Sequence, residues 1–396
     1  MRIGTANTYD NALQLLYKRQ SELAGQQEQL SSGLRVNRVS DDPLAAAQAE
    51  RVMVRLDRIE TDQRALETQR AALSGAEAGL GEAIGLMQSA REFVLAAGNA
   101  AYTPANRDTL AQQLSSLRDQ IFAIANRTDN NGLPLFGGLG SAGTPFADLP
   151  VGVQFQGAAG QRAATTTNLP GAMNGQAIWM DVPSGNRTFE VSLAAGNSNG
   201  LWSDPGTVIS PALVTGNTYR IDFSVVAGVT TYGVIDTTTS TTLLSGQPYV
   251  DGAPIGFDGI AVLAQGTPAD GDALELAPSV PRNVFNLLDD AVRSIDAAPG
   301  DNRLSHALAL SLAQIDTAME RMQAARGQAG DWLNRADTIT NQQSARSLSL
   351  ESDRSRAIDA DMVKAISDFS QKQTGYQAAL QSYAQIQRLS LFNFIN

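Results

Sequence analysis

Apolar side chains return every three or four residues at both extremities of this 396-residue chain, and at no steady interval through its middle. The first stripe runs through Ala6, Tyr9, Leu13, Leu16, Gln20, Leu23, Gln27, Leu30 and Leu34. The last runs through Ile358, Met362, Phe369, Tyr376, Leu380, Tyr383 and Leu389. Steps of three and four wind a narrow seam along a helix, and a seam that thin needs a partner helix to leave water. The opposite end of the chain offers a matching pattern, which predicts a terminal helical pair with everything else nested inside it. Gln20 and Gln27 fall on this seam, where a polar residue sets register or meets a neighbouring copy.

Between the ends the pattern changes twice. Asp42-Pro43 predicts a helix start, with a carboxylate to cap free amides and a proline where no amide is needed. A long seam follows, through Ala49, Val52, Leu56, Ile59, Leu66, Leu73, Leu80, Met87 and Val94. Thr103-Pro104 opens a third helix, which Asp129-Asn130-Asn131-Gly132 closes in a turn. Residues 139–280 then read as short strands, including 151–155, 178–182, 189–193, 219–226, 230–235 and 260–263, punctuated by Asp-Gly turns. Helix resumes near Asn283 and again near Asp301, with Gly327 and Gly330 predicting a bend or a close helix contact. The expected fold is α+β and multidomain, with long N- and C-terminal α-helices forming a coiled-coil and helical-rod pair around a central β-rich insert. The expected divisions are 1–40 with 356–396, 41–138 with 281–355, and 139–280.

Charge sharpens the division. The net charge is −11, yet residues 139–280 hold eleven acidic and three basic side chains while both ends are slightly basic. An acidic middle disfavours nucleic acid and anionic membrane as partners. No apolar run approaches the ~18 residues of a membrane span. The first residues lack the apolar core of a cleavable signal peptide. Absence of cysteine excludes disulfides, thiolate metal sites and cysteine nucleophiles.

Candidate chemistry is thin. Residues 138–143 match GxGxxG, but Thr144-Pro145 follows where a dinucleotide site needs a helix. His306 is the single histidine and reads as a packing or surface residue. Asp270 and Asp272 are too few oxygens for calcium. Trp179 and Trp202 read as core residues of the insert or, alternatively, as a recognition surface. These residues predict no catalysis, no cofactor and no metal.

The segment 30–47, Leu-Ser-Ser-Gly-Leu-Arg-Val-Asn-Arg-Val-Ser-Asp-Asp-Pro-Leu-Ala-Ala-Ala, resembles the N-terminal signature of the bacterial flagellin family. The resemblance covers about 1–138 and 281–396. Within the family, Met1-Arg2-Ile3, Ser40-Asp41-Asp42-Pro43, the Leu135-Phe136 segment and the ending 387–392 resemble an adapter between hook and filament more than the filament subunit. The resemblance implies a secreted structural protein, exported by the flagellar type III route and self-associating in a ring. A first hook-associated junction protein would lie on the hook side, flagellin on the filament side, and a cytosolic export chaperone would hold the C-terminal region. The implied assembly positions are Leu13, Leu16, Leu23, Leu30, Leu34, Phe369, Tyr376, Leu380, Tyr383, Leu389 and Phe392, with Gln20 and Gln27 added from the seam pattern. The alternatives are a filament flagellin and a stalk that displays an adhesive β domain.

Overall fold

A computed structural model describes residues 5–140, 143–160, 169–297 and 302–392, with the backbone alone for 5–9 and 386–392. Six helices carry the chain: α1 (Thr5–Ser32), α2 (Pro43–Ala97), α3 (Pro104–Ala125), α4 (Val284–Ala297), α5 (Asn302–Ile358) and α6 (Met362–Phe392). Two compact units form, Met1–Ala65 with Ile339–Asn396 and Leu66–Thr338, and α2 and α5 contribute to both. No described helix is long and apolar enough to cross a membrane.

In the first unit, α1 stops at Gly33, whose left-handed backbone (φ 72°) sends its amide back to the Gln29 carbonyl at 2.9 Å. Glycine suits that conformation at a helix end. Asp42 starts α2 as expected, its Oδ1 accepting the Ala45 amide at 3.0 Å. That hydrogen bond holds the Asp42 carboxyl below its ordinary range.

The second unit has two cores. One is helical and joins α2, α3, α4 and α5 through Leu80, Met87, Leu114, Ile121, Leu288 and Ile315. Thr103 caps α3 through the Asn106 amide, with Pro104 next in the helix. The hairpin β1 (Phe146–Leu149) and β2 (Gly152–Phe155) packs onto this core through Phe146 and Val153. So does one π-helical turn, Gln176–Met180, where an extended strand over 178–182 was expected. Periodicity cannot separate helix from strand in so short an apolar run. Here Trp179 decides it, packing edge-on to Phe136 at 5.5 Å and stacking on Phe285 at 6.1 Å.

The other core lies between β layers. The remaining strands are β3 (Val182–Pro183), β4 (Phe189–Leu193), β5 (Leu201–Ser203), β6 (Thr207–Val208), β7 (Tyr219–Val226), β8 (Val229–Asp236), β9 (Thr241–Pro248), β10 (Pro254–Phe257), β11 (Ile260–Gly266), β12 (Ala273–Pro278) and β13 (Pro281–Arg282). One antiparallel sheet has the order β4-β12-β7-β8-β9. In the other, β11 pairs with β10, β5 and β6, while β3 and β13 form a separate pair. Alternate residues of both sheets, including Val191, Ile221, Phe223, Val262 and Leu274, fill one core. Ala227-Gly228 closes the β7–β8 hairpin with both φ positive, the geometry that matches strand twist.

Polar side chains fasten the sheets to the helices. Arg187 pairs with Glu320, and Arg321 donates to the Ala177 carbonyl. Arg282 spans Glu190 at 3.2 Å and Asp290 at 3.3 Å. Buried Arg118 meets Asp148 of the hairpin at 2.6 Å and Asp289 of α4 at 3.2 Å, which raises its pKa despite the cost of burial. The close helix contact offered as one reading of Gly327 and Gly330 is not found: α5 runs through both, and a Cβ at either would meet nothing within 4 Å.

His306 is buried where α5 meets β5, with Nδ1 3.2 Å from both the hydroxyl and the carbonyl oxygen of Ser203. A carbonyl can only accept, which places a proton on Nδ1. Burial lowers the His306 pKa, outweighing the Ser203 and Val191 backbone and the charges of Glu190 and Asp204. The unfolded chain therefore takes up the proton first as pH falls, and folded stability drops below the ordinary value of 6.5. Denaturant titrations of the native chain should show stability falling as pH drops through about 6.5, and His306→Gln should flatten that dependence.

Candidate assembly interface

The first and last helices lie side by side and antiparallel. Leu34 sits beside Asp359, Gln26 beside Lys372, and Arg19 beside Gly375. Leu13, Leu16, Leu23, Leu30 and Leu34 are half-buried on α1 or just past its end, as are Phe369, Tyr376 and Tyr383 on α6. Of these, Leu16 and Tyr383 line one groove between α1 and α6. The side chains of Leu389 and Phe392 lie outside those described.

The polar positions of the seam differ from the expected ones. Gln20 and Gln27 are exposed, as are Leu380 and Met362. Inward polar positions fall one residue earlier, at Arg19 and Gln26. Lys372 Nζ donates to the buried Gln26 Oε1 at 2.9 Å. Gly375 leaves room for the Arg19 guanidinium, since a Cβ there would lie 2.7 Å from its Nη1. The apolar residues alone do not distinguish these two phases of the three-four pattern; the partners on α6 do.

The turn after α1 is stitched to the break between α5 and α6. The Arg35 amide donates to the Ile358 carbonyl at 2.7 Å, and the Ala360 amide donates to Gly33 at 2.9 Å. The Arg35 guanidinium donates to the Ala357 carbonyl at 2.5 Å and to Asp42 at 3.3 Å. Asp361 restarts the helix by accepting the amides of Val363 and Lys364, each at 3.1 Å. Large apolar side chains nevertheless face outward on this unit: Val363 is 82% exposed, Leu44 71%, Val39 69% and Tyr17 66%.

Other candidates dissolve into architecture. Asp272 accepts the Ser198 amide and hydroxyl, each at 2.6 Å, and the Ala269 amide at 2.8 Å. Asp270 accepts Val225 and Ser224, each at 3.0 Å. Both carboxylates are turn supports, and no metal-binding cluster occurs among the described residues. In the glycine segment, Gly138 has φ 68°, and a Cβ there would lie 2.2 Å from the Ala158 carbonyl oxygen. Close backbone approach explains that glycine, and strand β1 follows the segment where a phosphate site needs a helix. Trp179 belongs to the helical core rather than the β layers, and Trp202 is half-buried on β5.

Comparison with known proteins supplies the remaining context. The model of the bacterial flagellin N-terminal helical region matches residues 3–141, and that of the C-terminal helical region matches 312–395. Together they cover more than half of the chain. Flagellar hook-associated protein 3 of Salmonella typhimurium is 35% identical over 150 residues, 37% of this chain and 46% of that protein. Flagellin of Bacillus subtilis is 32% identical over 140 residues, 35% of this chain and 46% of that one. The chain thus spans about half the length of the curated relatives it matches. The crystal structure of the flagellar junction protein FlgL from Legionella pneumophila superposes with a TM-score of 0.68 at 25% identity, over 74% of this chain and 99% of that one.

The stitched turn gives a direct test of the first unit. Arg35→Ala removes one side-chain hydrogen bond across the junction, to Ala357, and one within the turn, to Asp42, and should cost about 1 kcal/mol, discounted because Arg35 is half-exposed. Trypsin should then cut after Arg38 faster than in the native chain, read by timed proteolysis.

Proposed function

The chain belongs to the bacterial flagellin family, and from that premise we propose that it is a structural subunit of the hook–filament junction. One observation carries the reading: the terminal helices pair along a seam too thin to be a core, leaving apolar side chains such as Tyr17 and Val363 facing outward. A pair of that kind gains stability when neighbouring copies cover it.

In this reading the copies form a ring. Its contacts involve the terminal positions Leu13, Leu16, Gln20, Leu23, Gln27, Leu30, Leu34, Phe369, Tyr376, Leu380, Tyr383, Leu389 and Phe392. Exposure of Gln20, Gln27 and Leu380 suits residues that meet a neighbour rather than their own partner helix. Residues 1–40 with 356–396 form the inner layer, 41–138 with 281–355 the next, and 139–280 the outer one. The ring sits outside the cell, between a first hook-associated protein on the hook side and flagellin on the filament side. A cytosolic chaperone accompanies the C-terminal region before export. The role is architectural, without catalysis.

Identity to hook-associated protein 3 favours the junction, and identity to a filament flagellin supports the second reading, a filament subunit. Deleting the gene separates them. Under the junction reading, cells keep their hooks and shed unpolymerised flagellin into the medium. Purified protein that grows long filaments alone, with no hook or flagellin added, contradicts it.

A further inference from the structure

Over the α1–α6 seam lies an open groove of about 350 Å3 with a floor of small residues, Ala12, Gly375, Ala378 and Ala379. Arg19 lines it. Its Nε is buried without a hydrogen-bond partner, and among the described residues the side chain has no ion pair. Nor can the facing helix supply one, since no Asp or Glu follows Asp368 in the sequence. A partly buried guanidinium beside a lining without carboxylates is costly unless something else brings the charge.

The same helix carries an unspent acid. Asp10 is exposed and has no ion pair among the described residues. It stands nine residues before Arg19, which at about 100° per residue puts it on the opposite side of α1. Glu22, three residues on, is exposed and makes no ion pair with Arg19 among the described residues. A cation on one face and an acid on the other make a helix complementary to its own copy in a head-to-tail contact. The axial separation of the two residues staggers successive copies by on the order of 10 Å, which suits a helical ring rather than a two-fold dimer.

We infer that the groove around Arg19 receives α1 of a second copy of this chain, with Asp10 of that copy pairing with Arg19. The inference rests on the self-associating ring proposed above and names the charge pair that sets its direction. Arg19→Glu or Asp10→Arg places like charges at the contact. Each should weaken self-association of the full chain at least about tenfold, read by sedimentation, with helical content unchanged. Mixing the two single variants in equal amounts restores association, because each alternating contact then joins opposite charges. A folding defect in either variant could not be rescued that way. Association indifferent to Arg19→Glu, or a mixture that stays as weak as its components, overturns the pair while leaving the ring. A native chain that remains monomeric at every concentration overturns the ring and the pair together.

Discussion

Antiparallel pairing of the first and last helices is the constraint on which the rest depends. It holds the two ends of the chain together, so every intervening segment must leave and return through one place. That place is built with care: Gly33 ends one helix, Asp361 restarts another, and Arg35 ties the two turns together through the Ile358 and Ala357 carbonyls. The seam itself is modest. Half-buried leucines and aromatics supply its apolar part, while Gln26 and Lys372 fix its register with a hydrogen bond. A polar seam position costs stability and selects one alignment over its neighbours. Such a pair is poorly suited to stand alone and well suited to be completed by copies of itself.

The second unit solves a different problem, holding a β sandwich on a helical core. Several of its polar groups serve that attachment. Arg118 gathers Asp148 and Asp289 and so ties the hairpin to α4. Arg187, Arg282 and Arg321 cross from the insert to helices, and His306 closes the contact at Ser203. Each ionisable group that might have suggested chemistry is engaged in a turn, a cap or an attachment.

Much of this was legible in the residues, for identifiable reasons. Asp42-Pro43 and Thr103-Pro104 announced helix starts because capping is local chemistry that needs no tertiary information. Strands 219–226 and 189–193 matched within a residue, since alternation and turn residues agreed there. The departures came where a distant partner decided. Trp179 left the insert for the helical core because Phe136 and Phe285 lie there, which converted an expected strand into a π-helical turn. The phase of the terminal seam moved by one polar residue because Gly375 makes room for Arg19 and Lys372 seeks Gln26. Gly327 and Gly330 interrupted a pattern without ending the helix and without a close neighbour beside them.

The most direct measurement uses the absence of native cysteine. Gln26→Cys with Lys372→Cys puts two thiols across the seam, and a short bifunctional maleimide can be applied to assembled particles. The account predicts an internally bridged product of monomer size, formed in preference to bridges between chains. Bridges found only between different copies would mean that each terminal helix packs on a neighbour instead, and would contradict the pairing.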